Sequence, residues 1–224
     1  MEHTRRALLS GVAAGGALGL AGCAGGTGGD GGDGGNALDT GEYGCDLSEP
    51  TDPDLGYRPT LGDPEADVVV RAFEDFTCPH CATYKLEHFP AVREEFVASG
   101  EIRYEHWDFP IPVNETWAVP VASAARGVGD RAGDEAFFAF SAAAYESQGE
   151  YSGEALGAAA ETAGADPCAA IADAQFSTYE EASMDDREEG ESMGLTGTPT
   201  IFVNGEAVDG YESGAIIDAI ESAL

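Results

Sequence analysis

Two cysteines three positions apart, Cys78 and Cys81 in the stretch Phe76-Thr77-Cys78-Pro79-His80-Cys81, are the residues of this chain whose type and spacing can do chemistry. They follow an apolar run, residues 68–70 with Ala72 and Phe73, and precede a segment of helical pattern over 82–89. Cysteines at i and i+3 on the first turn of a helix can close a disulfide and remain open to attack, which is the arrangement of a redox dithiol. At the helix N-terminus, unpaired N–H groups and the helix dipole stabilise a thiolate, so the Cys78 pKa is expected below the free value of about 8.5. Cys81, one turn in, is more shielded and suits the resolving thiol. His80 adds a donor or a positive charge beside the Cys78 sulfur, and Pro79 forfeits no hydrogen bond at an early helical position. A thiol of lowered pKa leaves faster, which makes the disulfide a better oxidant. The alternatives are a structural disulfide and half of a zinc site. Zinc normally takes a second Cys or His pair at ligand spacing. Beyond residues 1–23 only the isolated Cys45, Cys168, His88 and His106 remain, so no metal is assigned.

The elements that must position this pair follow from periodicity. A strand is expected over 68–73, entered through a turn at Leu61-Gly62-Asp63-Pro64-Glu65-Ala66-Asp67. Glu74 and Asp75 then intervene before the dithiol; either could relay protons to it, or both face solvent. The first helix meets Pro90, which should kink or end it. Helical pattern continues over 91–98 and stops at Gly100, and residues 102–107 alternate as a second strand with Ile102, Tyr104 and His106 on one side. His106 reads as a side chain at the edge of the core rather than a ligand.

Residues 113–193 are helical in pattern, with helices over 116–126, 134–147 and 154–162, one opened by Asp166-Pro167, and one from Glu180 toward Met193. The phenylalanines of this block read as core. Strand pattern returns over 200–203, Asn204-Gly205 is a hairpin turn, and residues 214–224 form a last amphipathic helix. The fold class is α/β with an all-helical insertion. Asn114-Glu115-Thr116 is an N-glycosylation sequon, a pattern short enough to occur by chance.

The 224 residues carry 10 Lys+Arg against 42 Asp+Glu, a formal net charge of −32, and Lys85 is the sole lysine. A surface of this charge repels nucleic acid and anionic membranes. Acidic residues run through every segment, which fits operation in concentrated salt, where screening tolerates their mutual repulsion; an ordinary acidic extracytoplasmic protein is the alternative. Residues 1–23, with Arg5-Arg6, a short apolar stretch and Leu20-Ala21-Gly22-Cys23, resemble a twin-arginine export signal ending in a lipidation motif, with Cys23 the lipidated residue. A plain cleaved signal is the other reading. Residues 24–36 are a Gly/Asp-rich flexible tether, and residues 37–56 an acidic lead-in lying on the domain at 57–224. With Cys23 assigned to the signal, four of the five cysteines remain. Pairing Cys45 with Cys168 would pin the lead-in to a distant helix, whereas two free thiols would be a liability outside the cell.

With Cys78-Pro79-His80-Cys81 after a strand, a helical block, and Gly197-Thr198-Pro199-Thr200 before a hairpin, the chain resembles the thioredoxin-fold disulfide oxidoreductases of the DsbA family. The resemblance covers about residues 57–224 and implies a thioredoxin-like fold. Pro199 would be the cis-proline facing the dithiol, and Thr198 before it would offer backbone groups to an extended substrate. The family often carries a buried carboxylate six residues before the nucleophilic cysteine; here that position is Ala72, with Glu74 or Asp75 as substitutes. The implied activity is oxidation of dithiols in exported proteins, with a membrane-bound, quinone-linked reoxidant as partner, no bound organic cofactor, and a monomer. The signal and the charge further resemble lipoproteins of halophilic archaea, which places the domain lipid-anchored on the extracytoplasmic face. A reductase or isomerase of the same fold is the second reading, and a non-enzymatic binding lipoprotein the third.

Overall fold

Along the central strand β2 (Val68–Glu74) the side chains alternate, as a sheet covered on both faces requires. Val68, Val70 and Ala72 enter the main core, while Phe73 enters a smaller one with Phe109, Leu195 and Phe202. The computed structural model describes residues 37–111 and 113–224, so the expected export signal and tether lie outside the described residues. The neighbours of β2 repeat its division. Ile102 and Tyr104 of β3 (Ile102–Asp108) share the main core with Ile201 and Val203 of β4 (Thr200–Val203), and Trp107 and Phe202 lie on the other face.

The sheet order is β1-β3-β2-β4-β5, with β1 (Thr60–Gly62) and β5 (Glu206–Ala207) at the edges. β2 and β3 run parallel, Val68 opposite Ile102 through Glu74 opposite Asp108, and the other pairings are antiparallel. β1 departs from the sequence reading, which has a turn at Leu61-Gly62. Three residues are too few to show alternation, and only pairing with β3 makes them a strand. The Asn204-Gly205 hairpin forms with φ values of 48° and 84°, the left-handed geometry these two residues tolerate.

The segment after the dithiol is helical through Pro90, as α1 (Pro79–Thr83), a π-helical turn Tyr84–His88, α2 (Phe89–Val92) and a second π-helical turn Arg93–Val97. Proline removes one donor and crowds the preceding turn; the widened turn, in which Phe89 N–H reaches Tyr84 O, accommodates it where a break was the alternative. The insertion supplies α3 (Ala118–Ala132), α4 (Asp134–Glu146), α5 (Gly153–Thr162), α6 (Pro167–Phe176) and α7 (Glu180–Ser192). Asp166 caps α6 through Ala169 N–H at 3.1 Å. Phe137, Phe138, Phe140 and Leu156 carry the insertion into the main core, and α8 (Ser213–Ala223) closes that core with Ile216 and Ile220.

The lead-in packs along the insertion. Leu38 N–H donates to Gln175, the Tyr43 hydroxyl to Glu161 at 3.0 Å, and Cys45 is bonded to Cys168 with Cα atoms 5.5 Å apart. Among the described residues no helix is long and apolar enough to cross a membrane, and no three His, Cys, Asp or Glu side chains gather as metal ligands would. The architecture is a thioredoxin-like α/β core with an all-helical insertion.

Candidate active site

β2 ends at Glu74, and the chain turns through Asp75, Phe76 and Thr77 to bring Cys78 to the N-cap of α1, with φ −81° and ψ 120°. Pro79 follows at the first helical position, where its lack of N–H costs nothing. Both cysteines are free thiols and both are buried, Cys78 at 4% exposure and Cys81 at 0%.

Their environments differ. The Cys81 thiol donates toward the Cys78 sulfur, and this, against the cost of burial, with help from Thr198 and the N–H groups of Cys81 and His80, pulls the Cys78 pKa down to about 5. Burial pushes the Cys81 thiol well above its ordinary value, reinforced by its bond to Cys78 and by the negative charge of Glu74. The pair is therefore poised as thiolate and thiol, the outer sulfur a nucleophile near neutral pH and the inner one a proton reservoir. The Thr198–Pro199 peptide is cis and brings Thr198 against the dithiol. Its carbonyl lies 3.4 Å from Cys78 Sγ and accepts from it when Cys78 is a protonated thiol. Its hydroxyl, buried without a well-oriented partner, lies near enough to both sulfurs to favour their charged forms.

Glu74 and Asp75 do not face solvent, as one reading of the sequence has it; they are 1% and 3% exposed. Glu74 shares the face of Ala72, two residues along the pleat, so the buried carboxylate sits one step nearer the dithiol than the family spacing suggested. Burial opposes its charge. Lys85 at 2.8 Å and His106 at 3.2 Å overcome that cost and hold the carboxyl below its usual range. Tyr104 and Tyr145 also direct their hydroxyls at it, at 3.4 and 3.3 Å. Asp75 has its oxygens occupied by Thr77 N–H, the Thr77 hydroxyl and Ile111 N–H, and burial raises its pKa. Glu74 is thus the carboxylate acting on Cys81, and Asp75 braces the turn.

Two further expectations are corrected. His106 is fully buried rather than at the core edge, with Nε2 3.0 Å from Asp108. Asp108 in turn pairs with buried Arg126, which also meets Asp186. His80 reaches the Cys78 sulfur through its main-chain N–H, while its exposed imidazole hydrogen-bonds the Tyr211 hydroxyl at 3.0 Å. Sequence reasoning also missed Lys85, Gln148 and Tyr151. As the only lysine of the chain, four residues beyond Cys81 on one helical face, Lys85 carried a signal. The other two, which donate to backbone carbonyls of the redox turn, carried none.

Among known proteins, the chain is 31% identical over 189 residues to a protein named Na(+)/H(+) antiporter NhaA 1 from Salinispora arenicola, covering 80% of this chain and 26% of that one. It is 31% identical over 52 residues to disulfide bond formation protein D of Bacillus subtilis, covering 23% of each. The chain thus spans about a quarter of the length of these curated relatives. Of solved structures, oxidised BdbD from Bacillus subtilis superposes with a TM-score of 0.67 at 22% identity, covering 79% of this chain and 97% of that one. Residues 54–220, which hold the sheet, the dithiol, the cis-proline and the whole insertion, match the sequence model of the family described as Thioredoxin. The chain belongs to the thioredoxin family.

Proposed function

We propose that this protein is an extracytoplasmic thiol-disulfide oxidoreductase that oxidises dithiols of exported proteins through Cys78–Cys81. The observation that carries the reading is the contrast between the two sulfurs, one pulled down to about 5 and the other pushed up, beside a cis-proline. In the oxidised form, a client thiolate attacks the Cys78 sulfur, the Cys78–Cys81 bond breaks, and Cys81 leaves with the electron pair and takes up a proton. The client's second thiolate then attacks the client sulfur of the mixed disulfide and releases Cys78 as the stabilised thiolate. Two electrons pass from client to protein, and Glu74 is the group placed to influence the Cys81 proton. Thr198 would hold the client backbone. The couple needs an external oxidant, for which a membrane-bound, quinone-linked partner is the proposal. The signal-like residues 1–23 support lipid anchoring at Cys23 after twin-arginine export, and the net charge of −32 supports work in high salt.

The test is the equilibrium potential of Cys78–Cys81 against glutathione in high salt. A value above about −180 mV supports an oxidase, whereas one below about −240 mV overturns that direction in favour of a reductase.

A further inference from the structure

The turn that carries the nucleophile is gripped from the helical insertion. Gln148 lies in the turn between α4 and α5, and its Nε2 donates to Phe76 O at 2.7 Å and to Cys78 O at 3.0 Å. The buried Tyr151 donates its hydroxyl to the same Phe76 carbonyl at 2.7 Å. Tyr145, near the end of α4, stacks on the Phe76 ring with centroids 4.9 Å apart and planes at 22°. The α4–α5 turn is built to present these groups. Gly149 has a φ of 92°, and Gln148 N–H is tied back to Tyr145 O at 3.1 Å.

The sheet offers no such hold. β2 has ended at Glu74, so the Phe76 carbonyl has no ladder partner, and a buried carbonyl left unmet costs about 1–3 kcal/mol. The other bonds of the turn are short-range, from Cys78 N–H to Asp75 O at 3.0 Å and from Thr77 to the Asp75 carboxylate, except that Ile111 N–H also reaches that carboxylate at the start of the turn. The Cys78 carbonyl is also the first acceptor of α1, taking Cys81 N–H at 3.0 Å and Ala82 N–H at 3.2 Å. Fixing this carbonyl fixes the peptide plane at the N-cap. That plane sets where the Cys78 side chain lies relative to the N–H groups of His80 and Cys81.

We propose that Gln148, seconded by Tyr151, is a positioning residue for disulfide exchange: it ties the insertion to the Phe76–Cys78 turn and keeps the Cys78 sulfur on the N–H groups that stabilise its thiolate. The insertion then tunes the redox couple in addition to enlarging the core. This inference rests on Cys78–Cys81 being the exchanging couple. The wild-type potential judges that reading, whereas the difference between wild type and variants judges Gln148, so the two fail separately.

The test uses the full chain carrying Gln148→Ala, Gln148→Met or Tyr151→Phe. The readouts are the equilibrium constant with glutathione and the pH dependence of Cys78 alkylation, with circular dichroism to establish native structure. Methionine keeps the length and volume of glutamine without its donors. Both Gln148 variants are expected to shift the equilibrium about tenfold toward the disulfide, which is about 30 mV for a two-electron couple. They should also move alkylation to higher pH, and Tyr151→Phe should shift both readouts the same way by a smaller factor. Equilibrium constants within about twofold of wild type in the natively folded variants overturn the proposal. So does a wild-type value for Gln148→Met beside a shifted Gln148→Ala, because the side chain would then act by filling space. If Gln148→Ala does not fold, Gln148→Met and Tyr151→Phe decide the matter by the same criteria.

Discussion

The two cysteine pairs of this protein share a chemistry and differ in nearly everything that decides its use. Cys78 and Cys81 are neighbours on one helical turn, buried, free, and wrapped in N–H groups and a charged carboxylate. Cys45 and Cys168 are 123 residues apart, partly exposed and bonded to each other. The difference teaches that loop length and local field divide the roles. Closing a long loop constrains the unfolded chain, which makes a staple. A short loop constrains it little, so the electrostatics around each sulfur set the balance between thiol and disulfide.

Replacing the nucleophile tests this division most severely. Cys78→Ser should lower the rate of oxidation of a reduced client by at least about a thousandfold, measured as thiol loss in the client, with Cys45–Cys168 intact. Persisting exchange would mean that the other pair does chemistry and would dissolve the comparison. Removing the staple is the converse. Cys45→Ser with Cys168→Ser should cost about 3–5 kcal/mol of unfolding free energy in denaturant titrations and leave client oxidation unchanged. A fall in exchange with stability retained would show the pairs coupled.

The smallest effect sharpens the contrast through pH. The Cys78 pKa lies at about 5 in the folded protein, below its ordinary value of 9.0. A depressed pKa stabilises the folded dithiol fully above the unfolded value, and that stabilisation is lost as pH falls through the folded one. The stability of the reduced protein relative to the oxidised protein should therefore fall as pH drops from about 9 to about 5, with most of the change complete near the lower value. In the oxidised protein Cys78 is held in a disulfide and does not titrate, so this slope is absent there, while the Cys45–Cys168 bond contributes none in either form. Paired thermal melts across that range check it, and parallel curves would refute the thiolate assignment.

Much of the fold was legible because local chemistry repeats along the chain. The alternation over 68–73 and 102–107, the Asp166-Pro167 start and the Asn204-Gly205 turn each carry their signal within a few residues, and the structure has each in place. β1 escaped because its identity lies in its partner β3. Pro90 pointed to a kink or a stop, yet the chain stays helical by widening the turn before it, a response that depends on what packs around Tyr84 and Phe89.

Within the site, the dithiol could be named from its cysteine spacing, and the Thr198–Pro199 pair from the resemblance to the DsbA family. The exposure of Glu74 and Asp75 could not, since acidic residues after a strand usually meet water. Here Lys85 from the helix and His106 from β3 converge on Glu74 and offset its burial, and their convergence exists only in three dimensions. The direction of the His80 ring, fixed by Tyr211 from a loop 131 residues away, is of the same kind.

By itself, the sequence determined the chemistry available: two thiols at helical spacing after a strand, on a chain with a formal net charge of −32. Only the tertiary structure decided which carboxylate lies against Cys81 and which glutamine grips the turn. The physical reason is that hydrogen bonds and buried charges act over a few ångströms in space, and the groups that make them come from segments far apart in the chain.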